Sequence, residues 1–180
     1  AGIADIGESV ENPEKTINGN IIGTLNLLKA SLKLSIERFI FASTIYVYSD
    51  LGGFYRVTKQ ACEKIIEQYQ KSFGLNYTIL RYGSLYGTRA NNFNSIKNML
   101  KEALDKGIIS RRGNGEEIRE YIHIRDAAKL SVKILDSKYE NRHFIVTGNQ
   151  SMKIKELLYM IKEIFENKIK IDFIPGDELH

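Results

Sequence analysis

Two prolines, one cysteine and no tryptophan occur among 180 residues. A single cysteine, Cys62, excludes an internal disulfide and fits a reducing compartment. Pro13 and Pro175 are too few to mark a linker, and no repeat or low-complexity tract divides the chain. No apolar run approaches the ~20 residues a membrane span needs, and no signal peptide is recognisable. The expected location is therefore cytoplasmic, with no membrane partner. Neither sign of charge dominates: 26 Lys and Arg face 22 Asp and Glu, giving a net charge of +4 and a pI near 9.0. The cations are spread along the chain, so they read as solvated helix faces rather than a nucleic-acid footprint. No His, Cys, Asp or Glu cluster has metal-ligand spacing, and no metal is expected. A glycine-rich phosphate loop of the form G-x-x-G-x-x-G is also missing from these residues.

What is present is ordinary for a globular domain: 43% hydrophobic and 27% charged residues, on a chain long enough for one well-buried domain. Asp5-Ile6-Gly7-Glu8-Ser9 reads as a strand end running into a loop. Asn12-Pro13-Glu14 is a helix start, with Asn as N-cap and Pro at the first helical position. Ile17, Ile21, Leu25, Leu28 and Leu32 recur at helical spacing and predict one buried stripe. Arg38-Phe39-Ile40-Phe41-Ala42-Ser43 is the continuous apolar run of a buried parallel strand. After the turn at Asp50–Gly53, a helix carries Tyr55, Lys59, Cys62, Ile65, Ile66 and Tyr69. Tyr77–Tyr82 is a second strand, leading into a loop over Gly83–Gly87. Helices are expected around 96–107, over 127–135 and over 154–165, with extended segments at 118–124, 143–147 and 170–174. This alternation of β and α argues for a parallel sheet layered by helices.

Tyr55 and Lys59 share a helix face. A cation about 4 Å from a phenol oxygen is worth ~4 kcal/mol at an effective dielectric near 20. At ~1.36 kcal/mol per pKa unit, that would bring a tyrosine from ~10 towards ~7, where it can exchange a proton with an alcohol. Thr44 offers a second hydroxyl beyond the carboxyl end of a strand, where open α/β sheets bind ligands. Spacing alone is weak: 10 Tyr and 17 Lys in 180 residues give roughly one Tyr-x-x-x-Lys by chance, and the alternative is an amphipathic helix with a solvated lysine.

The neighbours decide. Gly7-Glu8-Ser9, Asn20-Ile21-Ile22-Gly23-Thr24, Arg38 through Thr44, Val47-Tyr48, Tyr55-x-x-x-Lys59, Leu80-Arg81-Tyr82 with Tyr86-Gly87, Gly113-Asn114-Gly115 and Arg119 through Asp126 follow one another in order. The set resembles the extended short-chain dehydrogenase/reductases, in the NAD-dependent epimerase/dehydratase branch acting on nucleotide sugars, over roughly residues 1 to 165. The resemblance implies an α/β fold: a Rossmann-like parallel sheet layered by helices, its N-terminal βαβ missing, with a small C-terminal substrate-binding α/β part. Residues 1–90 would belong to the NAD-binding domain and 91–180 mainly to the substrate part. Tyr55 would be the acid/base, Lys59 would lower its pKa and bind the nicotinamide ribose, and Thr44 would orient the sugar hydroxyl. Ala1, Gly2 and Ile3 would line the cofactor, Asn20 would pack behind the site and Tyr82 would lie near the nicotinamide. Ser84 would approach the substrate and Arg119 the nucleotide diphosphate, its alternative being an ion pair with Glu116, Glu117 or Glu120. His123 reads as a core histidine. The cofactor would be NAD, with NADP as the alternative, and the substrate a nucleotide-diphosphate sugar for polysaccharide biosynthesis. A homodimer is expected through helices near 13–33 and 55–73, using outer apolar residues such as Ile22 and Ile66.

Three departures qualify the match. Without the phosphate loop and its acidic ribose reader, these residues read as the carboxyl-terminal part of such an enzyme. Ile45-Tyr46 follows Thr44 where sugar 4,6-dehydratases place an acidic pair, which disfavours dehydration. Ten residues separate Thr44 from Tyr55, a short loop beside the sugar. The expectation is a 4-epimerase working through a transient keto-sugar. A nucleotide-sugar reductase or dehydratase, or a non-catalytic interaction module, are the alternatives.

Overall fold

The computed structural model describes residues 2–176. The chain opens with a short helix, α1 (Ile6–Glu11), where a strand end was expected. Asp5 explains the difference: its carboxylate accepts from the Glu8 N–H at 2.7 Å, an N-cap that overrides the short apolar lead. A continuous helix follows as α2 (Pro13–Ile17), a π-helical turn at Asn18–Ile22 and α3 (Gly23–Lys33). Pro13 takes the first helical position as predicted, but Asn12 makes no side-chain cap bond. Strand β1 (Phe39–Thr44) runs into a 3₁₀ turn at Ile45–Tyr48, then the long α4 (Gly53–Phe73) and β2 (Tyr77–Tyr82). Next come β3 (Ser84–Tyr86), α5 (Ser95–Lys106), β4 (Ile108–Arg112), β5 (Ile118–His123) and α6 (Ile124–Lys133). The chain closes with β6 (Arg142–Val146), β7 (Ser151–Lys153), α7 (Ile154–Ile164) and β8 (Lys170–Ile174). Strands β3, β4 and β7 were not expected from the sequence; two of them have three residues, too few to show alternation.

Two compact units emerge. The first comprises residues 2–82 with Ala128–Val146, the second Gly83–Ala127 with residues 147–176. In the first unit the strands run parallel in the order β1-β2-β6. Thr44 pairs in register with Tyr82, and Tyr82 with Val146, so the carboxyl ends of all three strands align. The core joins Leu28, Phe41, Cys62, Ile66, Leu75, Tyr77 and Ile79. Each such Leu or Ile contributes on the order of 2 kcal/mol through burial.

Two expectations about apolar positions need correcting. The fully buried stripe of the first long helix is Thr16, Asn20, Thr24, Leu28 and Ser31, mostly polar, while Ile17 is exposed. Ile66 is 1% exposed and belongs to the core, so it is unavailable to a partner; Ile22, at 45%, is available.

In the second unit, β5 pairs parallel with β3 and antiparallel with β7, while β4 and β8 form a separate parallel pair. Its core is built by Met99 and Ala103 of α5, Ile109, Ile169 and the inner face of α7. Among the described residues no helix is long and apolar enough to cross a membrane.

Candidate functional site

The start of α4 is set by glycine. Gly52 holds the left-handed conformation at φ 97°, and a Cβ there would press on the Tyr46 ring and on Arg56. Gly53 sits so close to α1 that a Cβ would come within 2.9 Å of Val10. The first turn is capped from α1 rather than from its N-cap residue: the Tyr55 N–H donates to Ser9 Oγ at 3.2 Å. Two α4 side chains hold the short loop before it. Arg56 donates to the Ser49 carbonyl at 2.7 Å and Gln60 to the Val47 carbonyl at 2.9 Å. Tyr55 and Thr44 are thereby fixed on either side of that loop.

Thr44 is buried at the end of β1. Its hydroxyl accepts from the Tyr46 N–H at 3.3 Å and acts on the Tyr55 phenol in the direction that favours its ionised form. Lys59, one turn further along α4, donates to the Ala42 carbonyl at 2.7 Å; its ammonium lies 4.7 Å from the Phe41 ring centroid and 5.8 Å from that of Tyr55. The expectation that Lys59 depresses the Tyr55 pKa is not met in this geometry. Burial pushes Tyr55 above its ordinary value, the Thr44 hydroxyl opposes that, and Tyr46 adds to it. The lysine is spent on Ala42 instead. Burial also holds Lys59 below its ordinary value, with Cys62 and Glu63 acting the other way.

Asn20 lies in the π-helical turn and is buried. Its side-chain oxygen accepts from the Ile3 N–H at 2.7 Å, and its amide donates to the Ile3 carbonyl and to Thr58 Oγ1, both at 3.0 Å. Thr58 in turn donates to the Tyr55 carbonyl at 2.9 Å. Gly2 approaches the same amide so closely that a Cβ would fall 2.3 Å from its oxygen. Asn20 thus straps the Gly2–Ile3 backbone to the helix bearing Tyr55. Cys62 is a packed thiol donating to the Asn20 carbonyl at 3.2 Å. Tyr82 pairs beside Thr44 in the sheet, its phenol 2.6 Å from Ser131 Oγ.

Thr44, Tyr55, Lys59, Asn20, Gly2, Ile3 and Tyr82 all lie within the first unit. Ala1 lies outside the described residues. Ser84 and Arg119 belong to the second unit: Ser84 opens β3 opposite Tyr121, and Arg119 faces Met152 across the β5–β7 pair. Glu116 binds Lys153 and Lys155, which holds its carboxyl down at about 2. His123 is half-buried against the Tyr86 ring. Among the described residues no three His, Cys, Asp or Glu side chains gather as a metal site.

Sequence reading passed over a buried polar cluster behind the site. Glu63 accepts from Ser43 Oγ at 2.5 Å and from Arg81 twice, at 3.1 and 2.6 Å. Arg81 also donates to the Tyr48 hydroxyl and stacks over its ring. The available signal was an acidic residue within the apolar stripe of α4, between Cys62 and Ile66.

Comparison with known proteins places this arrangement. The UDP-glucose 4-epimerase of Rhizobium meliloti (strain 1021) is 28% identical over 99% of this chain and 64% of its own length. The solved UDP-glucose 4-epimerase of Thermotoga maritima, with UDP-glucose, superposes with a TM-score of 0.89 at 26% identity, over 99% of this chain and 63% of that one. The UDP-N-acetylglucosamine 4-epimerase of Methanobrevibacter ruminantium M1, in complex with UDP-N-acetylmuramic acid, gives 0.87 at 25% identity, over 100% and 63%. The chain therefore spans somewhat under two thirds of the length of these relatives. The family model described as the NAD dependent epimerase/dehydratase family matches residues 1–147. The chain belongs to that family.

Proposed function

We propose that this chain carries the proton-handling machinery of a nucleotide-sugar 4-epimerase acting in the cytoplasm. The observation that carries the reading is the buried Thr44 hydroxyl at the carboxyl end of a parallel sheet, acting on the Tyr55 phenol, with the Lys59 ammonium 5.8 Å from that ring. Two hydroxyls held together beside a cation suit a sugar 4-hydroxyl that must lose and regain its proton. The 4-epimerase relatives favour this substrate class. Ile45-Tyr46 at the start of the 3₁₀ turn offers no carboxylate for loss of water, which argues against a dehydratase.

The residues present fit the nicotinamide end of NAD. Gly2 packs so tightly on Asn20 that a Cβ would not fit, Asn20 fixes Ile3 through both backbone groups, and Lys59 and Tyr55 present ribose-binding groups on one helix face. Tyr82, and Ala1 by the same reading, would complete that contact. Bound NAD would accept hydride from the sugar carbon and return it to either face. This chain's own part is the proton. Burial keeps Tyr55 protonated, the form that returns a proton to the sugar oxygen. Taking the proton needs the phenolate, and swinging Lys59 from the Ala42 carbonyl towards the phenol is the movement that favours it. Thr44 would hold the same sugar oxygen. Ser84 and Arg119 of the second unit are our assignments for the sugar and the diphosphate, the latter suited to a planar fork of donors. Leu27 and Ile22 on the first long helix, with Phe54 and Val57 on α4, are exposed apolar residues that suit a homodimer through these helices.

Tyr55→Phe in the intact protein tests the assignment. Interconversion of the two 4-epimers of a UDP-sugar should fall by roughly 10²–10⁴-fold, and undiminished turnover would overturn it.

A further inference from the structure

The Glu63 cluster is assigned no part in the reaction above, yet it joins β1, β2, the 3₁₀ turn and α4. Glu63 is 4% exposed and stands one turn after Lys59 on α4. Its carboxylate accepts from Ser43, the residue before Thr44, and receives both arms of Arg81 from β2. Ser43 and Arg81 are register partners in the β1–β2 ladder, so the three side chains bolt strand to strand and both to the helix. Arg81 extends the bolt to Tyr48, at the far end of the 3₁₀ turn that begins beside Thr44. A buried ion pair is costly to place and weak evidence for stability. Its location matters more.

We propose that Glu63 and Arg81 are positioning residues for the Tyr55–Lys59–Thr44 site: the pair fixes Thr44 through Ser43, and Glu63 serves as the buried counter-charge that holds Lys59 as an ammonium. This rests on reading those three residues as the reacting site. The groups facing Lys59 are Tyr55, Cys62 and Glu63 on α4 and the Phe41 ring and Ala42 carbonyl on β1. Arg81 of β2 stands behind Glu63, Tyr46 of the 3₁₀ turn acts on Tyr55, and Thr24 of α3 contacts Cys62 without charge. Glu63 is thus the one carboxylate acting on Lys59 from these elements, and burial alone would drive the lysine towards its neutral form.

The test is the titration of Lys59, followed by the ¹³Cε shift in the intact protein without substrate. Glu63→Gln keeps the shape and the Ser43 contact but removes the negative charge and strands Arg81. Lys59 should then titrate lower by roughly one pH unit. The double variant E63Q/R81M removes the stranded cation and should recover about half of that shift. A folded Glu63→Gln protein whose Lys59 titrates as in the parent, or complete recovery of the parent titration in the double variant, would overturn the proposal, since a purely structural pair has no reason to move the lysine. Ser43→Ala decides the other half and stays foldable whatever Glu63→Gln does. It should lower kcat roughly tenfold at unchanged KM with Lys59 titrating as in the parent; parent-like kcat would contradict the positioning of Thr44. An inactive parent protein would remove the reading of the site, while the lysine titration, which needs no turnover, would still decide the pair.

Discussion

Lys59 is the residue on which the proposed proton transfer turns. Burial holds Tyr55 protonated while the ammonium rests on the Ala42 carbonyl; in the proposed movement towards the phenol, the same charge would favour phenolate. Deleting it has a sign. Lys59→Met removes the cation proposed to swing towards the phenol, so in the working enzyme the Tyr55 pKa rises and the acid limb of the kcat profile, where phenolate is required, moves to higher pH. A shift of about one unit is expected, read from initial rates across the alkaline range; an acid limb displaced to lower pH would refute this view of Lys59. The Tyr55-x-x-x-Lys59 pair was legible because helix spacing is written in the sequence. The direction of the Tyr55 shift was not, because it depends on burial and on a carbonyl, Ala42, that competes for the ammonium. Glu63 was hidden for a related reason: its partners come from β1 and β2, twenty and eighteen residues away, and no local pattern joins them.

At the scale of elements, the site depends on the contact between the π-helical turn and α4. Asn20 is the joint. Asn20→Ala would strand the Ile3 N–H and carbonyl and remove a bond to Thr58, at a cost of about 2 kcal/mol. Urea unfolding of the intact protein should show that loss in its midpoint; an unchanged midpoint would mean that solvent replaces the strap. The helices themselves were readable: Pro13 set the start of one, Gly74 the end of another, and the apolar run at 38–43 announced β1. The polar stripe of Thr16, Asn20, Thr24 and Ser31 was not. Hydrophobic periodicity marks Ile17 and Ile21, and a π turn shifts the face that is buried.

For the whole molecule, the alternating pattern sufficed to read a parallel α/β sheet, since β1, β2 and β6 each follow a helix and end in register. The second unit was harder. Strands β3 and β7 have three residues each and take shape through pairing with β5, a long-range event the local sequence does not encode. Self-association belongs to this scale too. Leu27, 56% exposed on the first long helix, is predicted to lie in the homodimer contact. Leu27→Glu should convert a dimer to a monomer in light scattering, with thermal stability of the fold kept; an unaltered dimer would place the contact elsewhere.

The π-helical turn also has a consequence for phase. At Gly23 the N–H bonds the Asn18 carbonyl five residues back, so the turn holds one residue more than an α-helix would. Gly19 is the natural surplus: it is exposed, and a Cβ there would meet nothing within 4 Å. Deleting Gly19 should restore a regular helix and rotate everything before it by about 100° relative to α3. Helix content by circular dichroism should hold while the bond from Ile3 to Asn20 is lost, visible as faster exchange of the Ile3 amide. One residue, inserted without a side chain, sets the angle at which Gly2 and Ile3 meet α4 through Asn20.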